Sequence, residues 1–319
     1  MQLPITRDER TIEPRRGSAT SQRMDAPGAD VTIDQAPAPA ADSAELGQEP
    51  PITEAYRTHR RFDRAARLFS EPGLHRLMGA RVVVVGVGGV GSFAAEALAR
   101  SGVGSLSLVD FDKVCITNTN RQLHAMQGTI GKRKVDIMAS RLALVHPTAR
   151  IDAVPLFYNR DTSSEILGEK PDFVVDAIDN LTAKAHLLFS CLEQGIPVVS
   201  SMGAAARLDP TQIRVADLSA TAKDPFARAL RQMLRKQYGL GLSKHQSVGI
   251  DAVFSTETPR PPAELSYDQG GFRCVCPGGK NGMHDCDRRS RIDGTAAFVA
   301  GSFGLVAASV VVRRLLGSA

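Results

Sequence analysis

Short runs rich in β-branched and leucine residues alternate along the chain with segments whose apolar positions recur every three or four residues. The first pattern is typical of strands buried on both faces, and the second of helices that pack on such a sheet. Their alternation is what parallel βαβ units require, and it predicts a doubly wound α/β fold with a mostly parallel sheet. Strands are expected at residues 82–85, 106–109, 151–154, 173–180 and 197–201, and helices at 92–100, 131–145, 163–167 and 182–194.

The pattern changes after residue 202. A half-buried strand is expected around Ile213 and Val215, and Pro225 begins an amphipathic helix. Residues 258–294 are rich in proline and glycine and are expected to form a loop that folds over the site as a lid. The last apolar run, residues 296–312, is uncharged and rich in Ala, Gly and Ser. This composition favours a buried C-terminal helix, and contact with a membrane is the less favoured alternative.

The N-terminal segment differs from the rest of the chain in composition. Residues 1–51 are rich in Ala, Pro, Gly, Asp and Ser and show no apolar periodicity, so we expect a disordered tail. Folding is expected from residue 52, with a helix over 61–69 that ends before Pro72. We therefore expect one domain over residues 52–319, with a nucleotide-binding half at 61–201 and a second half at 202–319.

Charge and cysteine content indicate which class of partner and which cellular location to expect. The chain has 319 residues, 43% of them hydrophobic, and a formal net charge of +5. The first 50 residues contain five arginines and nine acids, which leaves 34 basic and 25 acidic residues in the remainder. The body is therefore basic enough to attract a polyanion. Five cysteines without the spacing of a secreted disulfide framework, and the lack of a signal peptide, lead us to expect a cytoplasmic location.

A glycine-rich turn follows the first predicted strand and begins the next helix. With so little side chain present, backbone N–H groups can approach a phosphate closely, and the helix N-terminus adds a positive dipole. Asp110 ends the second strand, where dinucleotide folds keep the acid that binds a ribose hydroxyl. The pattern indicates a Rossmann-like nucleotide site and leaves NAD, FAD and ATP open. The turn residues expected at the phosphate are Gly86, Gly88, Gly89, Gly91 and Ser92.

Three further features place polar chemistry near the same edge of the predicted sheet. The polar segment 111–122 has neither strand nor helix periodicity and is expected to lie over the carboxyl ends of the strands. Asp176 and Asp179 end a buried strand at that edge. The run Lys132-Arg133-Lys134 stands at a helix start, where cations oppose the helix dipole, so a bound anion and chance placement both remain open.

The helix that begins at Pro225 has a basic face. Arg228, Arg231 and Arg235 recur at i, i+3 and i+7, and no acid occurs between Asp224 and Asp251. This density of cations favours contacts with nucleic-acid phosphates over an ordinary solvated surface. The same region adds Lys236 and Lys244.

Cys274, Cys276 and Cys286, with His284, form the one metal-like cluster in the sequence. Zinc sites normally show paired C-x-x-C spacing, which is absent here. Ordinary reduced thiols are therefore favoured over a metal site, and a reactive thiolate near Arg273 or Arg288 stays open.

Several of these motifs agree in order and spacing with one enzyme family. The glycine turn, Asp110-Phe111-Asp112, Asn118-x-x-Arg121, Lys134 and Asp179-Asn180 resemble the ubiquitin-activating-enzyme-like adenylyltransferases, the family of ThiF, MoeB and HesA. Residues 114–122, 176–179, 209–213 and 253–257 further resemble the tRNA threonylcarbamoyladenosine dehydratase branch, from about residue 60 to the C-terminus.

The resemblance implies an activity and a set of roles. ATP would adenylate the carboxylate of threonylcarbamoyladenosine in tRNA, and the carbamoyl group would then expel AMP and form a cyclic base. A homodimer is implied, in which Arg64 or Arg67 of one subunit reaches the phosphates of the other. The basic region from Arg228 to Lys244 would bind the tRNA. In the nucleotide site, Asp110 would bind the ribose, with Asp112 beside it. The triphosphate would be held by Asn118, Arg121 and Lys134. Asp179 would hold Mg²⁺.

Three rival functions use parts of the same pattern. An activator of a ubiquitin-like sulfur-carrier protein would need the same ATP site and a protein-docking groove, and such a carrier or another sulfur-transfer protein is a possible partner. A nicotinamide dehydrogenase would explain the glycine turn but leaves Arg121 and Lys134 without a purpose. A nucleotide-sensing tRNA-binding scaffold would bind both ligands without releasing AMP.

Overall fold

The computed structural model describes residues 53–243, 246–266, 275 and 292–317. The predicted tail, most of the predicted lid, the predicted tRNA contact Lys244 and the cysteines Cys274, Cys276 and Cys286 lie outside the described residues.

Seven strands form one sheet within the described part of the chain. Their spatial order is β3-β2-β1-β4-β5-β7-β6, and every neighbouring pair is parallel except β6 with β7. The prediction of a doubly wound, mostly parallel α/β fold is confirmed. The strands are β1 (Arg81–Val85), β2 (Ser105–Val109), β3 (Arg150–Val154), β4 (Phe173–Asp176), β5 (Val198–Ser201), β6 (Ile213–Asp217) and β7 (Ile250–Ser255).

The helices follow the predicted order with shifted ends and two additions before β1. Residue 62 separates two short helices where one was predicted, and Pro72 lies in the first turn of a further helix. The helices are α1 (Glu54–Arg61), α2 (Asp63–Phe69), α3 (Glu71–Gly79), α4 (Gly91–Arg100), α5 (Lys134–Val145), α6 (Ser163–Leu167), α7 (Leu181–Gln194), α8 (Pro225–Tyr238) and α9 (Ala297–Leu316).

The start of α5 was predicted three residues too early. Gly131 has a φ of +86°, and Arg133 is extended where it pairs with Lys113 as an isolated antiparallel bridge. The helix therefore begins at Lys134 itself. Of the cationic run, only Lys134 is buried, while Lys132 and Arg133 are exposed.

The sheet is covered on both faces, which is why its central strands are buried and mostly apolar. On one face, side chains such as Leu98 of α4, Leu142 of α5 and Phe303 of α9 form a core with the strands. On the other face, Leu188 of α7 and Leu230 of α8 complete a second core. The carboxyl ends of the strands stay uncovered by these layers, and the polar loops gather there.

Helix α9 owes its small residues to its close packing on α4. A Cβ placed on Gly304 would lie 2.3 Å from the carbonyl oxygen of Val90, and one on Gly301 would lie 3.0 Å from the ring of Phe93. The helix is long and apolar enough to cross a membrane, and just over half of its apolar stretch is buried in the protein. The predicted buried C-terminal helix is confirmed.

The Gly304 contact can be tested by adding one methyl group. We expect Gly304→Ala to lower the free energy of unfolding by about 1–3 kcal/mol, because backbone of α4 occupies the space for a Cβ. The control is Gly79→Ala at the end of α3, where a Cβ meets no atom within 4 Å and stability should stay level or rise slightly. Urea unfolding measures both, and equal stability of the two variants would contradict the close packing.

Candidate nucleotide-binding cleft

A cleft of about 1170 Å³ opens at the carboxyl ends of β1 and β4. The strand order reverses between these two strands, since β1 leads to β2 on one side and β4 leads to β5 on the other. Such a switch point is where open α/β sheets bind ligands. The cleft also extends along the loop that follows β5 to the first turn of α8.

The glycine turn forms one wall of the cleft, and its glycines have different structural roles. Gly86 has a φ of +89°, and a Cβ there would lie 2.7 Å from the carbonyl oxygen of Ala177. A Cβ on Gly91 would lie 1.8 Å from the carbonyl oxygen of Gly86. Gly86, Gly88 and Gly89 line the cleft, whereas Gly91 lies behind its surface and permits the sharp turn into α4.

Ser92 does not line the cleft and acts inside the protein. Its side chain is fully buried, and its Oγ accepts a hydrogen bond of 3.4 Å from the backbone N–H of Leu123. The serine thereby joins the start of α4 to the polar segment that crosses the cleft.

Asp110, Asp112 and Lys134 form a buried charged group at one side of the cleft. The Asp110 carboxylate accepts hydrogen bonds of 2.8 Å from the backbone N–H groups of Val87 and Asp112. Lys134 Nζ lies 2.7 Å from Asp112 Oδ2 and 3.7 Å from Asp110 Oδ2. Burial alone would lower the pKa of Lys134, but the carboxylates of Asp110 and Asp112 outweigh it and raise that pKa above its usual value. Lys134 therefore keeps its positive charge in the cleft.

The polar segment 111–122 brings Arg121 to the cleft but turns Asn118 away from it. The Arg121 guanidinium donates to the carbonyl oxygen of Thr117 at 2.8 Å and to Asn120 Oδ1 at 3.0 Å. The Asn118 side chain instead accepts the backbone N–H of Cys115 at 3.0 Å, within the 3₁₀ turn Ile116–Asn118. Asn120 lines the cleft where Asn118 does not.

The strand predicted over 173–180 ends at Asp176, so Asp176 is the last residue of β4 and Asp179 lies in the loop that follows. The two acids lie in different environments. Asp176 is fully buried below the cleft, where its Oδ2 lies 2.6 Å from Lys184 Nζ and 2.6 Å from Ser200 Oγ. This ion pair joins β4, α7 and β5. Asp179 is exposed and lines the cleft, so its carboxylate is available to a bound ion. The sequence pattern identified both acids but not the buried lysine that neutralises Asp176.

Aromatic side chains that the sequence analysis did not select form the wall beside Asp110. The rings of Phe111 and Phe157 pack edge to face, with their centroids 5.0 Å apart, and both line the cleft with Tyr158. Burial raises the pKa of Tyr158 to about 12, so its hydroxyl stays protonated. An apolar, aromatic wall in a cleft of this kind suits a purine base. The one available signal was Phe111, which stands between the two acids of the motif.

A buried network that sequence reasoning missed holds the opposite side of the cleft. Arg207 donates to the carbonyl oxygen of Gly203 at 2.9 Å, to Asp224 Oδ2 at 2.8 Å and to the carbonyl oxygen of Glu257. The Glu257 carboxylate accepts the backbone N–H groups of Leu208 and Asp209. Arg207 and Asp224 both line the cleft, so the network joins the loop after β5 to the first turn of α8.

The predicted N-terminal arginines lie on α2 and do not line the cleft of their own subunit. Both are exposed. Arg67 Nε lies 3.1 Å from Asp63 Oδ2, and this hydrogen bond lowers the pKa of Asp63. The Arg64 guanidinium forms no ion pair or hydrogen bond with another described residue.

The basic residues of α8 divide into two groups. Arg228 and Lys236 are exposed, and their side chains form no ion pair with any residue that the structure describes. Arg231 is half-buried and donates to the carbonyl oxygen of Thr221 at 3.0 Å, while Arg235 donates to the carbonyl oxygen of Leu242. The predicted basic surface is therefore present, but Arg231 and Arg235 also hold neighbouring loops.

Known proteins resemble this chain over most of its length. Residues 62–319 match the ThiF family. The tRNA threonylcarbamoyladenosine dehydratase of Escherichia coli is 39% identical over 269 residues, which cover 84% of this chain and 97% of that protein. The Bacillus subtilis protein of the same name is 46% identical over 198 residues, 62% of this chain and 75% of its own length.

Solved structures agree with this similarity. The crystal structure of Escherichia coli TcdA, a tRNA N6-threonylcarbamoyladenosine dehydratase, in complex with ATP has a TM-score of 0.71 to this chain. It is 36% identical and covers 84% of this chain and 98% of its own. The residues that match the ThiF family include both the glycine turn and the region after β5. This chain belongs to the ThiF family.

Proposed function

We propose that this protein uses ATP to convert the carboxylate of threonylcarbamoyladenosine in tRNA into an acyl-adenylate, which then cyclises. A carboxylate oxygen attacks the α-phosphorus, and pyrophosphate leaves. The carbamoyl group of the same side chain next attacks the acyl carbon, loses a proton and expels AMP, which carries away the carboxylate oxygen. The net change in the nucleoside is the loss of one water.

The observation that carries the proposal is the pair of cations that line the cleft together with the glycine turn, in a chain similar to dehydratases along most of their length. Arg121 and Lys134 line the same cleft as Gly88, and the carboxylates of Asp110 and Asp112 keep the buried Lys134 charged. Adenylation requires little covalent chemistry from the protein, because positioning and charge neutralisation supply most of the acceleration. A hydride-transfer site has no comparable use for these cations.

The nucleotide would lie across the cleft in one direction. Its base would pack on Phe111 and Phe157, its ribose would bind Asp110, and its phosphates would meet the glycine turn, Arg121 and Lys134. Asn118 would contribute indirectly by holding the turn that presents Arg121. This arrangement leaves the side formed by Arg207 and α8 for the modified base.

Magnesium fits the site as an ion shared with the substrate. Mg²⁺ is usually held by one or two carboxylates together with substrate phosphates. Asp179 offers one exposed carboxylate in the cleft. Among the described residues, no group of three or more His, Cys, Asp or Glu side chains is placed to hold a metal without a substrate. Bound there, the ion would neutralise charge on the phosphates.

The remaining partners follow from the charged surfaces. The exposed cations of α8 would contact the tRNA backbone, close to the cleft that receives the modified base. A homodimer would supply an arginine from α2 to the opposite subunit, and Arg64 is the better candidate because Arg67 is paired with Asp63.

A cytoplasmic location accords with the reduced, buried thiols of Cys115 and Cys191. A membrane or sulfur-transfer partner has no supporting contact in the described residues.

The first prediction concerns turnover. With ATP, Mg²⁺ and threonylcarbamoylated tRNA, we expect Arg121→Ala and Asp179→Asn each to lower the rate of AMP release by about 100-fold or more, because charge stabilisation of the phosphates is lost. Arg133→Ala is the matched control, since this arginine is exposed and does not line the cleft. Mass spectrometry should show a nucleoside lighter by one water only where AMP forms.

The same assay separates the rival functions. Exchange of pyrophosphate into ATP that depends on a carrier protein and not on modified tRNA would favour carrier activation. Binding of ATP and tRNA without AMP would favour a scaffold, and tight binding of NADH without ATP would favour a dehydrogenase.

The second prediction concerns the shared site. We expect Arg64→Ala to be inactive and Arg67→Ala to retain activity. Equimolar mixing of inactive Arg64→Ala and Arg121→Ala subunits should restore about a quarter of wild-type turnover, because half of the dimers then contain one intact site. Mixtures that stay inactive after demonstrated subunit exchange would contradict a site completed by the partner.

The third prediction concerns tRNA binding. We expect Arg228→Ala and Lys236→Ala each to weaken tRNA binding and to reduce the slope of log affinity against log salt by about 1, as loss of one phosphate contact does. Arg231→Ala should mainly lower thermal stability, because its guanidinium holds the loop at Thr221. Titrations at several salt concentrations measure the slope, and an unchanged slope in both exposed variants would exclude this surface.

A further inference from the structure

Gln122 and His124 form a hydrogen-bonded pair beside the glycine turn. Gln122 is mostly buried but lines the cleft, and a Cβ placed on Gly88 would lie 3.8 Å from its Nε2. His124 is fully buried behind it, with Nε2 2.9 Å from Gln122 Oε1. The glutamine therefore presents one end of its amide to the histidine and the other end to the cleft.

The pairing of His124 decides which end of the amide faces the cleft. The Nδ1 atom of His124 is buried and has no hydrogen-bond partner among the described residues. If Nδ1 carried the proton, a buried N–H donor would lack an acceptor, which proteins tolerate less often than an unused acceptor. The proton therefore lies on Nε2, which donates to Gln122 Oε1. The NH₂ group of Gln122 then points toward Gly88.

The hydrogen bond between His124 and Gln122 does not change around neutral pH. Burial, with a further contribution from the nearby Lys134 charge, lowers the pKa of His124 to about 3. The neutral ring keeps a single N–H, and that N–H stays on the side of Gln122. The backbone around the pair is also fixed, because Leu123 N–H donates to Ser92 Oγ and Thr129 Oγ donates to the carbonyl oxygen of His124.

We infer that Gln122 is a further ATP-binding residue, whose amide N–H groups donate to the phosphate chain, and that His124 is the positioning residue that holds the amide in this direction. The inference rests on the proposed function, since it requires a triphosphate in the cleft. With the Gln122 amide in this orientation, a phosphate above Gly88 would meet its NH₂ donor. With the amide reversed, Gln122 Oε1 would face a phosphate oxygen. The neutral donor supplements the two cations at the same wall.

The glutamine is tested by two substitutions with different charge. We expect Gln122→Met, which keeps the shape and removes the donor, to weaken ATP binding by about 10- to 100-fold, as loss of a hydrogen bond to a charged group does. Gln122→Glu should weaken ATP binding further, because a carboxylate would face the phosphates. The affinity for tRNA measured without ATP should not change in either variant.

The histidine is tested by rescue. A glutamine at this position places its Nε2–H group where the ring Nε2–H lies, so His124→Gln should retain ATP affinity within about threefold of the wild type. His124→Leu removes the donor and releases the amide, so ATP affinity should fall by about tenfold. The thermal stability of both variants is measured by thermal unfolding, as a control for their folding. A role in packing alone predicts parallel losses in the two histidine variants and no difference between Gln122→Met and Gln122→Glu.

Calorimetric titration of ATP with Mg²⁺ into the full-length protein separates the possible failures. A wild-type protein that binds no ATP would overturn the proposed function and this inference together. If the wild-type protein binds ATP and both Gln122→Met and Gln122→Glu bind it with wild-type affinity, only the inference is overturned. Equal ATP affinities in His124→Leu and His124→Gln would show that His124 does not position the Gln122 amide.

Discussion

The close crossing of backbone at the end of β1 is the constraint on which the cleft depends. A Cβ added to Gly91 would overlap the carbonyl oxygen of Gly86, and one added to Gly86 would overlap the carbonyl oxygen of Ala177 after β4. A side chain at either glycine would require backbone to move, because the atoms that it would meet are peptide oxygens. The turn, the start of α4 and the end of β4 are thereby held together at the point where the sheet reverses its order.

The second determinant of the site is the way in which burial organises its charges. Lys134 stands at the N-terminus of α5, where the helix dipole alone would disfavour it, and two carboxylates from the end of β2 compensate. Asp176 is neutralised by Lys184 below the cleft, while Asp179 remains exposed above it. The end of β4 thus supplies a buried structural acid, and the loop after it supplies an exposed acid that lines the cleft.

The far side of the cleft is connected structurally to the exposed basic residues of α8. Arg207 connects the loop after β5 to Asp224, which also caps α8 by accepting the backbone N–H of Ala227. The helix that presents cations to solvent is therefore anchored at the cleft itself. A polyanion held on α8 would lie beside the place where the acyl group must meet ATP.

Local periodicity and motif spacing determined much of this protein from its sequence. Valine, isoleucine, leucine and phenylalanine concentrate in β1 to β5, and glycines after β1 identify the turn that lines the cleft, because both signals depend only on residues close together in the chain. The alternation of strands and helices, the buried C-terminal helix and the family resemblance follow from the same local information. The acids and cations at the strand ends were found for the same reason.

Tertiary structure decided the features that depend on distant residues. The strand β7 contains Asp251, whose charge hides the apolar pattern, and only pairing with β5 and β6 makes it part of the sheet. Lys184 and Arg207 become important through acids that lie 8 and 17 residues away in sequence and on other elements. The inward turn of Asn118 and the direction of the Gln122 amide likewise depend on which neighbours complete their hydrogen bonds. Composition and spacing carry no record of these choices, because burial and partner geometry exist only after the chain has folded.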